Sequence, residues 1–362
     1  MGGRAVRRML LFCLLALWLG GQALASELPE EVVRAAPAAA ALVNDSADDA
    51  FGLLSGIRTL VGEAFIGLRT EMLSGVRAVA AIMAGVILLG VAESAVPAGG
   101  ETVSRCTAAV GALWITAMAA GDLNALIGMG RETISQISML SKALLPAMAA
   151  AEAASGGVAA AAMRQVAAVF FADVLLTVTE KVLLPMLYMY IGLSAAGAVV
   201  EGDAPEKLGE LLKKAVEWSL GGMLFLFTAY LTLSGALAGA ADAQSVKLAK
   251  SAVSAAVPVV GGILSDAVES VLAGAGLLRS MVGTAGTLAL LGVCLLPFLR
   301  LGGQYLLYQG ASLVSATAGP KKLTKLVAML GDAFALVLAM TGTAAVLLLV
   351  SLLSCVTAMT PG

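Results

Sequence analysis

The chain has 362 residues, of which 60% are hydrophobic and 13% charged, with a mean hydropathy of +0.96. Soluble domains carry about 25% charged residues, so this composition excludes an ordinary soluble enzyme and describes a bundle of membrane-crossing helices. The formal net charge of −2 leaves no basic surface for nucleic acid, and the lack of any histidine removes the commonest general base and metal ligand.

The N-terminus reads as a secretory signal peptide over residues 1–25. Arg4, Arg7 and Arg8 precede an apolar core from Met9 to Gly21, which is short for a span, and Ala23-Leu24-Ala25 is a small-x-small cleavage site. The competing reading is an uncleaved first span. Cleavage before Ser26 removes three positive charges, leaving 22 − 3 = 19 basic and 24 acidic residues, a net charge of −5.

Residues 26–77 read as an extracytoplasmic segment. Ser26 to Asp49 is acidic, and Phe51 to Val76 has helical periodicity. Leu54, Ile57, Val61, Phe65, Leu68, Met72 and Val76 form its apolar stripe. That stripe suits a membrane surface, a partner helix or the protein's own bundle.

Residues 78–362 read as a polytopic transmembrane domain. Spans are expected at Ala78 to Val91, Cys106 to Ala120 and Ile134 to Ala151, the last interrupted by Lys142 and Pro146. Val166 to Val200 is too long for one span, and Glu180-Lys181 divides it into two spans, or into one re-entrant half and one span. Trp218 to Ala241, Met281 to Leu299 and Leu326 to Val356 follow, with Gly302 to Ala318 ambiguous. The expected fold is an all-α integral membrane bundle of about eight spans, seven or nine also fitting, with amphipathic and re-entrant helices.

Glu206 to Glu217 has Leu208, Leu211, Leu212, Ala215 and Val216 on one face and charges on the other. It reads as a helix lying on the membrane surface, with Asp203 and Glu206 capping its start. Lys321-Lys322-Leu323-Thr324-Lys325 is the densest basic run after the signal, and the positive-inside rule places it in the cytoplasm. Lys247, Lys250 and Arg279 fall on the other side and count against that rule.

No nucleotide-binding glycine motif is present. Cys106, Cys294 and Cys355 stand singly in apolar stretches and read as inert thiols, without metal spacing. The chain therefore reads as a non-enzyme with no cofactor. Asp173 and Asp332 lie in or near spans, where an Asp at the helix centre costs about 2.5–3.5 kcal/mol. They read either as parts of a substrate or ion path or as structural partners of Arg164 or Lys181. Lys247 to Arg279 reads as two amphipathic helices broken at Pro258 and Gly261-Gly262. Ser265, Asp266 and Glu269 sit on the second helix. A break at membrane depth must be buried in protein or line water, so this stretch is the candidate functional or interaction element.

The run Lys247-x-x-Lys250 followed by Pro258-Val259-Val260-Gly261-Gly262-Ile263-Leu264-Ser265-Asp266-Ala267 resembles the central signature of the stage III sporulation protein AE family of endospore-forming Firmicutes. Leu145-Pro146, Ala154-Ser155-Gly156-Gly157 and Val182-Leu183-Leu184-Pro185 match it in the same order. The resemblance covers about Ser135 to the C-terminus. It implies a multi-pass protein of the mother-cell membrane facing the forespore. The implied partners are the other stage III A sporulation proteins, a forespore membrane partner and membrane lipid. The implied role is a permease-like part of a transenvelope channel complex that supports late forespore gene expression; no catalytic residue carries over. The rival reading is an independent secondary transporter, which calls for an internal repeat with paired broken helices. Pro146 with Gly156-Gly157 and Pro258 with Gly261-Gly262 are faintly of that kind.

Overall fold

The computed structural model describes residues 73, 75–95, 101–154, 158–200, 202–256, 261–317 and 319–357, with backbone alone over 101–103, 151–152, 154, 158–160, 235–256, 261–285, 288 and 355–357. The signal peptide, most of the extracytoplasmic segment and Pro258 lie outside the described residues. The described chain is helical: α1 Gly75–Ala95, α2 Glu101–Ala154, α3 Val158–Val178, α4 Leu184–Val199, α5 Ala204–Ala256, α6 Gly261–Ser315 and α7 Lys321–Thr357. Thr179–Leu183 is a π-helical turn joining α3 to α4 without a break.

These helices stop where side-chain chemistry makes them stop. Val200 leaves α4 in an extended conformation, Gly202 takes a φ of +108°, and Pro205 stands in the first turn of α5. Gly202 is the sole positive-φ residue among those described. Gly319 and Pro320 separate α6 from α7, with the Gly319 N–H donating to Ser315 O at 2.7 Å.

The helix α2 runs antiparallel to the α3–α4 rod, and α5 runs parallel to α7. Arg131 and Lys142 on α2 meet Glu180 and Asp173, in reversed order, on the α3–α4 rod. Glu206 and Lys213 on α5 meet Lys325 and Asp332, in the same order, on α7. The helix α7 is the axis of the bundle and the most buried of the span-capable helices described. Leu323, Leu326, Val327, Leu330, Phe334, Val337 and Leu348 are all nearly or wholly buried. Lipid is as apolar as leucine, so close contact rather than water exclusion holds such helices together. Gly130 on α2 is a point of close approach, facing Val337 and Thr341 of α7.

Six helices among those described are long and apolar enough to cross a membrane, which does not confirm the expected eight. The apolar segments exist, but several share a helix. Cys106 to Ala120 and Ile134 to Ala151 both lie on α2, whose 54 residues run through Lys142 and Pro146. Glu180-Lys181 does not divide Val166 to Val200; the π turn carries the helix through it. Met281 to Leu299 and Gly302 to Ser315 lie together on α6. The helices α2, α5 and α6, of 54, 53 and 55 residues, are each roughly 80 Å long at 1.5 Å per residue. A bilayer core of about 30 Å covers less than half of that.

Glu206 to Glu217 is likewise corrected. It begins α5 instead of lying on a membrane surface, and it packs into the bundle with Val216 buried and Lys213 bonded to Asp332. Of the expected break at Pro258 and Gly261-Gly262, Pro258 lies outside the described residues, and Gly261-Gly262 are the helical first residues of α6. The two helices expected over Lys247 to Arg279 are the end of α5 and the start of α6.

The starts of α5 and α7 and the end of α4 share one end of the bundle, where Lys322 Nζ donates to Val200 O at 3.3 Å. The end of α1 and the start of α2 join them: Val86 lies against Gly319, and Gly111 against Leu323 and Leu89. Arg105, Lys207, Lys214, Lys321, Lys322 and Lys325 collect there, and the positive-inside rule associates such a bias with a cytoplasmic end. Cysteines at the exposed positions Ser104, Asp203 and Lys322 are expected to share one sidedness. In intact protoplasts, none should react with an impermeant thiol reagent until the membrane is opened. Labelling of one position but not the others would contradict the common end.

Candidate functional site

In the half of the bundle that holds the starts of α5 and α7, one stretch of α6 reaches two carboxylates on different helices. Gln304 Nε2 donates to Asp122 Oδ2 of α2 at 3.1 Å, and Gln309 Nε2 donates to Asp332 Oδ1 of α7 at 3.2 Å. Lys213 Nζ of α5 donates to the other Asp332 oxygen at 2.6 Å. The Lys213 and Asp332 side chains are only 22% and 26% exposed, and Gln304 is buried. Tyr308 lies between the two glutamines in sequence and is wholly buried. Its ring packs on Phe334 at 5.1 Å, and its hydroxyl has no hydrogen-bond partner. Gly331 makes room for it; a Cβ there would stand 3.1 Å from the Tyr308 Cβ.

This arrangement holds charge inside an apolar bundle. Lys213 and Gln309 offset the cost of ionised Asp332, since a charge-assisted hydrogen bond is about twice as strong as a neutral one. Asp122 accepts from Gln304 and makes no ion pair among the described residues. The cluster can hold a proton or a cation, or simply lock four helices together.

Of the residues expected from sequence, Asp332 belongs to this cluster and Asp173 does not. Asp173 pairs with Lys142 at 2.8 Å on the outer face of α2 and α3, where both side chains are about half exposed. The partners expected for the two acids, Arg164 and Lys181, are replaced by Lys142 and Lys213. Gly261, Gly262, Ser265, Asp266 and Glu269 form the first turns of α6. Asp266 lies roughly 65 Å along that helix from Gln309, so the structure does not bring the two groups together. The thiols differ from one another: Cys294 is buried and Cys106 exposed.

Sequence reasoning missed Asp122, Lys213, Gln304, Tyr308 and Gln309. Lys213 was hidden in a segment read as a surface helix, and both glutamines in one read as ambiguous. An amide in a long apolar helix was the available signal, because a buried amide needs a partner.

The profile of the stage III sporulation protein AE family matches residues 55–359. The stage III sporulation protein AE of Bacillus subtilis (strain 168) is 23% identical over 219 residues, which is 60% of this chain and 55% of the relative. The alignment thus spans little more than half the relative's length. No solved structure matches. A family match over most of the length, on an all-helical chain of span-capable helices, leads to one conclusion: the chain belongs to the stage III sporulation protein AE family.

Proposed function

We propose that this chain is a membrane component of the transenvelope channel complex between mother cell and forespore. It sits in the mother-cell membrane and works with the other stage III A proteins and a forespore partner. The family match over residues 55–359 is the observation that carries this reading, and it implies a role in sporulation. Six span-capable helices suit a multi-pass position, and the Lys213, Asp332 and Gln309 cluster suits a protein that carries polar groups at membrane depth. The chain acts without catalysing a reaction; its lack of histidine supports that reading.

Deleting the gene tests the proposal. Vegetative growth should be unchanged, sporulation should stop at or after engulfment, and late forespore gene expression should fall. A growth defect in rich medium with normal sporulation would contradict it. Solute accumulation by the purified chain alone in liposomes would favour an independent transporter.

A further inference from the structure

Two acids meet α6 from neighbouring helices, and only one of them is balanced. Asp332 has the Lys213 ammonium at 2.6 Å. Asp122, half-buried, has the neutral Gln304 amide at 3.1 Å and no cation among the described residues. A carboxylate drawn out of water is stable when it is paired, coordinated to an ion or protonated.

The third group at this place is the Tyr308 hydroxyl. Gln304 and Tyr308 stand one turn apart and share a face of α6. The Tyr308 Cβ lies at Gly331, its ring packs on Phe334, and Leu338 faces Gly302. Rising numbers on α7 thus match falling numbers on α6, and the Tyr308 side chain runs from its own turn towards that of Gln304. On α2, Gly111 meets Leu323 and Gly130 meets Val337, so Asp122, between them, lies near the height of Gly331. The carboxylate, the amide and the hydroxyl therefore share one level of the bundle.

That hydroxyl is wholly buried and has no hydrogen-bond partner. Buried polar groups are nearly always satisfied, so an orphan calls for a missing partner. A small cation coordinated by both oxygens supplies that partner and the missing counter-charge together. The charge of the site fits a monovalent ion. Calcium and magnesium call for larger sets of oxygens, often with several carboxylates or bound waters, and Asp332 is already committed to Lys213.

We propose that Asp122 and Tyr308, with Gln304 holding the carboxylate, form a binding site inside the bundle for one alkali cation, sodium or potassium. It goes beyond the proposed channel role and rests on the burial and the partners of these groups alone.

The test is the thermal midpoint of the detergent-solubilised full chain in sodium, potassium or choline chloride at equal ionic strength. Sodium or potassium should raise the midpoint by about 2 °C over choline at saturation, and titrating each salt tells which ion the site prefers. Asp122→Asn should lose that difference. Tyr308→Phe should melt higher than wild type in choline chloride, because the unpaired hydroxyl is gone. Its half-saturating salt concentration should rise roughly fivefold, as for the loss of one polar contact. Equal midpoints for wild type in all three salts would overturn the proposal, as would a difference that survives in Asp122→Asn. If that variant does not fold, Tyr308→Phe decides, and an unchanged half-saturating concentration overturns the site. Stabilisation by acid alone, with no response to either salt, would put a proton on Asp122 in place of the ion and overturn it as well. None of these outcomes alters the sporulation phenotype of the gene deletion, so the site and the channel role fail separately.

Discussion

Asp332→Ala is expected to destabilise the protein by about 2–3 kcal/mol, read as a lower thermal midpoint of the detergent-solubilised chain. The substitution leaves the Lys213 ammonium 22% exposed with its ion-pair partner gone, and it leaves the Gln309 amide with Ala328 O at 3.5 Å in place of the carboxylate. Breaking a fully buried pair costs about 3–5 kcal/mol; residual exposure of both side chains reduces that here. Asp332→Asn should cost less, because its amide oxygen still accepts from one of the two donors, Lys213 or Gln309. The double variant Lys213→Met with Asp332→Leu should recover most of the loss, since replacing both charges by apolar groups of similar size removes the stranded one. An unchanged midpoint for Asp332→Ala would show that Lys213 reaches water and that the cluster holds nothing together. If the midpoint of the double variant recovers while sporulation does not, the charge itself serves the function.

Gly130→Leu is expected to cost about 3 kcal/mol, the upper part of the range for overpacking. Gly130 is buried where α2 meets the central helix, and its added side chain would run into Val337, itself 2% exposed, with Thr341 Cγ2 at 3.5 Å. Neither neighbour is the far end of a flexible side chain, so the two helices must separate. Gly121, on the same helix, has nothing within 4 Å of its missing Cβ. Gly121→Ala should therefore stabilise by roughly 0.8–1 kcal/mol through helix propensity alone. The two glycines differ in sign for one reason, the presence or absence of α7. Equal effects on the thermal midpoint would mean that α2 does not pack on α7 as described.

Composition alone settled the all-helical membrane class, since 60% hydrophobic and 13% charged residues leave little else for the chain to be. Apolar run length located the segments. How those segments join was decided by tertiary structure. Glu180-Lys181 reads as a break because charges inside an apolar run usually end a span. Arg131, 49 residues earlier, binds Glu180, and a π turn carries the helix through. Lys213 reads as a surface charge by helical period, until Asp332, 119 residues away, turns that face inward. Periodicity and hydropathy are local quantities and place apolar residues well. The partner of a buried charge is a fact of packing, and it appears only when distant helices are set side by side.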